Sequence, residues 1–142
     1  MMRIEEIFEQ AGRQWNGSAP ASASDLAFLE SRAKAQLPPE YVDLLRFSNG
    51  GDGPLAFSPF WLQLYSVSDC VELCHTGWVM KEFPDFMFFG SNGAGESFAF
   101  DLRAGPPWSI VTIDQIAGES SAIQVAPDMK TFIQGIGRES EQ

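Results

Sequence analysis

The residues of this sequence best equipped for chemistry are Cys70, Cys74 and His75, its only Cys/His cluster. Three residues separate the cysteines, whereas a haem-attachment motif has two. A structural zinc site takes four ligands, and the chain has no other Cys or His. On a helix the two thiols fall one turn apart on one face beside Val71, so buried structural thiols are expected rather than a metal or redox centre. His75 is the sole histidine. Catalytic partners meet in space rather than in sequence, so a hydrolase using His75 is an alternative. Against it, no Gly-x-Ser-x-Gly elbow occurs, and Cys74 lies on a different helical face from His75.

Gly93-x-Gly95 has the start of a dinucleotide loop, but position 98 is Phe98 and the following residues read as a strand. No Gly-Lys-Ser/Thr follows a glycine-rich stretch, so no phosphate cradle is expected. Asp52, Glu96, Asp101 and Asp114 lack the regular ligand spacing of a calcium loop. Solvated carboxylates or a partner-facing patch are the expectation, with no cofactor and no enzymatic activity. Trp61 and Tyr65 alternate with Phe60, Leu62 and Leu64, which puts the two polar-tipped aromatics on the opposite strand face. Such side chains are favoured at the centres of protein interfaces, although burial under a second layer is the competing expectation. Asp52, Trp61, Tyr65, Glu96 and Asp101 are therefore the candidate partner contacts.

Composition narrows the partner. The 142 residues carry 19 Asp and Glu against 9 Lys and Arg, a formal charge of −10. Phosphate neutralisation requires clustered cations, so nucleic acid is excluded as a partner, and an anionic membrane surface is disfavoured for the same reason. Residues 1–75 hold 10 acidic and 5 basic side chains, and residues 76–142 hold 9 and 4. The excess is a field spread over the fold rather than a tail. Solubility explains such a field in most proteins; steering towards a basic protein partner is the sharper reading. No apolar run reaches the ~18 residues of a membrane-spanning helix, and the acidic N-terminus does not look like a signal peptide. A cytoplasmic location is expected.

The elements follow from periodicity. Ile4, Ile7, Phe8, Ala11 and Trp15 share one helical face, and a turn-rich connector runs from Asn16 to Ser22. Ser24 is placed to cap a second helix with Leu26, Leu29 and Ala33 inward, ending before Pro38. Pro38 and Pro39 open a third, with Tyr41, Leu44, Leu45 and Ser48 inward and Asn49-Gly50-Gly51 at its end. Strands begin after Pro54, with Phe60, Leu62 and Leu64 on the core side. A helix capped by Ser68 fades before Pro84. Phe86 to Phe89 and Phe98 to Leu102 flank glycine-rich turn chemistry and read as a hairpin. Strands over Trp108 to Ile113 and Ile123 to Val125 precede a last helix with Met129, Phe132, Ile133 and Ile136 inward. Few helices separate the strands, so the fold class is α+β: one domain over residues 1–142, an antiparallel sheet covered by helices.

The stretch Leu37 to Gly51, the stretch Phe89 to Asp101 and Thr131-Phe132-Ile133 together, in this order, resemble the SUKH superfamily, which includes yeast cell-wall-synthesis regulators of the Smi/Knr type and many bacterial immunity proteins. Leu37-Pro38-Pro39-Glu40-Tyr41, with Leu44-Leu45 and Ser48-Asn49-Gly50-Gly51, is similar to the family's signature helix. The stretch from Phe89 to Asp101 resembles its glycine-rich hairpin, and Thr131-Phe132-Ile133 its Ser/Thr-Phe helix. Glu40, Tyr41, Asn49, Gly50, Gly93, Gly95 and Asp101 map onto signature positions. The resemblance spans Leu26 to Gly135 and implies a bent antiparallel sheet with N-terminal helices and a closing C-terminal helix. For function it implies protein binding without catalysis: an immunity protein that neutralises a toxin domain, a basic nuclease among the candidates, or an intracellular regulator or scaffold.

Overall fold

The computed structural model describes residues 3–139. The elements run α1 (Ile4–Phe8), β1 (Asn16–Gly17), α2 (Ala23–Arg32), α3 (Pro39–Phe47), β2 (Gly51–Pro54) and β3 (Trp61–Leu64). They continue with α4 (Val67–Cys74), α5 (Gly77–Glu82), β4 (Phe86–Ser91), β5 (Glu96–Asp101), β6 (Ser109–Asp114), β7 (Ile123–Ala126) and α6 (Met129–Gln134). The seven strands form one open sheet in sequence order, every neighbouring pair antiparallel. The α+β class expected from the periodicity is the one found.

The helices begin where side-chain oxygens can take up orphan backbone N–H groups. Ser22, rather than Ser24, caps α2 by accepting from Asp25 N at 3.0 Å, and Asp25 returns a bond to Ser22 N. Ser66, rather than Ser68, caps α4 through Asp69 N, and Asp128 caps α6 through Thr131 N at 2.7 Å. Pro38 and Pro39 start α3, as the missing N–H groups allow. The first helix is shorter than its apolar spacing suggests. It stops at Phe8, Gly12 turns with φ 85°, and Ala11 is exposed. Trp15 reaches the core from an extended segment, where its Nε1 donates to the buried Ser48 hydroxyl at 3.2 Å.

Alternation along each strand assigns the two faces of the sheet. On the inner face, Leu62, Leu64, Phe89, Phe98, Phe100 and Ile110 pack against Leu26, Tyr41, Leu44, Leu45 and Phe132 of the helices. Phe89 stacks on Phe100 at 4.6 Å between centroids and meets Phe132 edge-on at 5.6 Å. On the outer face, a smaller cluster joins Phe86, Phe88, Ala99, Val111 and Ile113 to Val79 and Phe83 of the α5 region. The Lys34 ammonium fastens that corner by donating to the carbonyls of Phe83 and Phe86, both at 2.9 Å.

Candidate functional site

The Ser48-Asn49-Gly50-Gly51 corner builds the edge of the sheet. Ser48 Oγ accepts from Trp15 and from Ser18 N, while Asn49 Oδ1 accepts from Val67 N at 2.8 Å and so holds the start of α4. Gly51 has φ 120°, and a Cβ there would lie 2.7 Å from Asn16 O. Only glycine lets β1 approach β2 this closely. The pairing sets Asn16 opposite Asp52, and Asn16 Nδ2 donates to Asp52 Oδ1 at 3.1 Å.

Cross-strand pairing then places Asp52 beside Gln63, Gln63 beside Ser91 and Ser91 beside Ser97, a polar row on the outer face. Trp61 and Tyr65 lie two residues either side of Gln63 and share its face. Trp61 is 40% exposed. With Asp52, Asn16, Phe60 and Glu139 it lines an open depression of about 680 Å³. Tyr65 is half-buried, and burial pushes its hydroxyl pKa up while hydrogen bonds with Ser97 and Ser91 oppose the rise. With Asp69, Glu72 and Thr76 it lines a second depression of about 280 Å³.

The five sequence candidates thus separate. Asp52 and Trp61 come together, and Tyr65 extends the same face. Glu96 lies five residues from Asp101 on β5, so the two point to opposite faces. Glu96 belongs to the hairpin tip, where its carboxylate accepts from Asn92 Nδ2 at 3.3 Å. Asp101 is held by Arg103 through bonds of 2.9 and 2.8 Å, and hydrogen bonding to that guanidinium keeps its carboxyl below the usual range. The same guanidinium lies 4.9 Å over the Phe86 ring. Phe60, expected on the core side, is 44% exposed with φ 69°, because the strand starts only at Trp61.

The sequence reading missed Asn16, Asp69 and Glu72. The last two are three residues apart on α4, a spacing that marks one helical face and was a usable signal. It also missed Trp78 and Met80 of α5, which are both exposed.

The Cys/His cluster has a different role. Cys70 is buried, with its Sγ 3.3 Å from the Tyr41 hydroxyl, and burial pushes its thiol up to about 12. A thiol held protonated in this way is a packing group, not a nucleophile. Cys74 is half-buried and also shifted upward by burial. His75 ends α4, its Nε2 3.3 Å from Arg32 Nη1. A guanidinium only donates, so this contact occupies the nitrogen lone pair that a general base would use. Among the described residues, no group of three or more His, Cys, Asp and Glu could hold a metal ion. None of the described helices is long and apolar enough to cross a membrane.

Residues 20–135 match the SMI1 / KNR4 family (SUKH-1). The chain belongs to the SUKH family. A search of curated proteins finds no match. In this SUKH domain four of the signature positions are architectural: Tyr41 is buried, Asn49 holds α4, and Gly50 and Gly93 have φ of 99° and 76°. Membership supports an immunity- or regulator-type domain that works by protein–protein interaction.

Proposed function

We propose that this SUKH chain is a non-enzymatic, cytoplasmic immunity protein that binds a toxin domain with a basic surface and masks it. The observation that carries the reading is the open outer face of β1–β3, where an exposed Trp61 stands beside Asp52 in a depression. A Trp at the centre of such a face can supply short-range affinity once a partner excludes water from it. The formal charge of −10 acts earlier. It raises the encounter rate with a cationic partner, and salt weakens that steering. For a nuclease toxin, the basic cleft that binds phosphate is the surface an acidic inhibitor would cover.

Deleting the gene and exposing the cells to a sibling strain that retains its toxins tests this directly. Killing that is reversed by restoring the chain is expected, together with an association rate for the purified pair that falls as ionic strength rises. A growth defect without toxin sensitivity would instead favour a regulator of the Smi/Knr type.

A further inference from the structure

The outer face contains an internal example of cation capture. Asp101 and Phe86 are cross-strand partners on that face, and Arg103 fills the site between them, paired to the carboxylate and lying over the ring. Two other aromatic–carboxylate sites use rings of the same face: Trp61 with Asp52 of β2, and Tyr65 with Asp69 and Glu72 of α4. The residues lining these two depressions include no Lys or Arg. Among the described residues, Asp52, Asp69 and Glu72 form no ion pair. Arg138, next in sequence to the lining residue Glu139, donates instead to Gln10 Oε1 at 2.9 Å.

Their spacing is also informative. Trp61 and Tyr65 are four residues apart along one strand face, about 13 Å at the rise of an extended chain. Gln63, level with Asp52 and Ser91, lies between them. The outer side of β3 is therefore a track with an aromatic–acidic site at each end and a hydrogen-bonding amide in the middle.

We propose that this track binds an extended segment of the partner protein bearing two Arg or Lys side chains four residues apart, one entering each site. The proposal rests on the toxin-masking reading only for the partner's identity. Charge complementarity and the four-residue spacing carry the rest. A cation over each ring gains cation–π attraction, and the neighbouring carboxylates add charge-assisted hydrogen bonds.

The test titrates the isotope-labelled full chain with two capped peptides of identical composition. One has the sequence Arg-Thr-Val-Thr-Arg and the other Arg-Thr-Val-Arg-Thr. In an extended chain only the first presents both guanidinium groups on one side, four residues apart. We expect it to bind about three- to fivefold more tightly, the scale of one lost cation–π contact. It should also shift the Trp61 indole and Tyr65 ring signals together. Trp61→Ala should abolish the preference while leaving the rest of the spectrum folded. Equal binding by both peptides, no detectable binding, or shifts confined to Trp78 and Met80 would overturn the proposal. Failure of the toxin-masking reading is read separately. Absence of any killing after deletion of the gene, with the peptide preference intact, removes the toxin but keeps the track, and full protection by Asp52→Lys/Asp69→Lys removes the track but keeps the toxin.

Discussion

The two halves of the outer sheet face are built from the same meander yet meet solvent differently. Over β4–β6 the strands are apolar on both sides, and Phe83 and Val79 close over Phe86, Phe88, Ala99, Val111 and Ile113. Over β3 the chain alternates, with Leu62 and Leu64 buried and Trp61 and Gln63 exposed. A continuous apolar run pays to cover both faces, whereas an alternating run leaves one face to water. The difference teaches that the aromatic residues of this protein divide by neighbours rather than by type. Phe83 and Trp61 are both aromatic side chains of the outer face, but the first is enclosed and the second is available to a partner.

The comparison can be broken most forcefully at Phe83. Truncating this fully buried ring by Phe83→Ala should cost about 3 kcal/mol or more, read as a lower urea midpoint, because it removes packing and leaves a cavity. Trp61→Ala should change the stability by less than about 0.5 kcal/mol, and weaken partner binding by about 2 kcal/mol if it is the centre of the interface. Comparable stability losses for both variants would erase the distinction between the two halves.

Gly51→Ala sharpens the edge of the open half. With φ 120° and Asn16 O only 2.7 Å from the new Cβ, the substitution should cost more than about 1 kcal/mol. It should also release β1, seen as a changed environment of the Trp15 indole that bonds Ser48. A modest effect of a different kind, dependent on pH, is expected at Asp101 in the covered half. Its folded-state pKa is depressed by the Arg103 hydrogen bonds, so the stability it contributes is present above the ordinary carboxylate range and is lost as pH falls through the folded value. Asp101→Asn should flatten the acid side of the stability profile and cost at most about 1 kcal/mol at neutral pH, since Arg103 is half exposed.

Much of the inner layer was legible in the sequence. Tyr41, Leu44, Leu45 and Ser48 follow helical spacing and are all buried, and the hairpin from Phe86 to Asp101 announces itself through its apolar runs and central glycines. The edge strands were not legible. Asn16-Gly17 and Gly51-Asp52-Gly53-Pro54 have turn-forming residues, and they pair because the glycines permit close backbone approach rather than because their side chains favour strands. The candidate site was half legible for a related reason. Alternation put Trp61 and Tyr65 on one face, but placing Asp52 beside them required the register of β2, which only the folded sheet fixes. Phe60 broke the alternation because the turn before β3, closed by Leu55 N to Phe60 O at 3.1 Å, sets its backbone before the strand begins.

The most direct test of the open-face account is side-chain oxidation footprinting of the chain alone and bound to a protein partner that co-purifies with it. Strong protection of Trp61 on binding, weaker protection of Tyr65 and an unchanged rate at Trp78, which is 48% exposed on α5, is the predicted result. Protection of Trp78 and Met80 with Trp61 still fully reactive would contradict it.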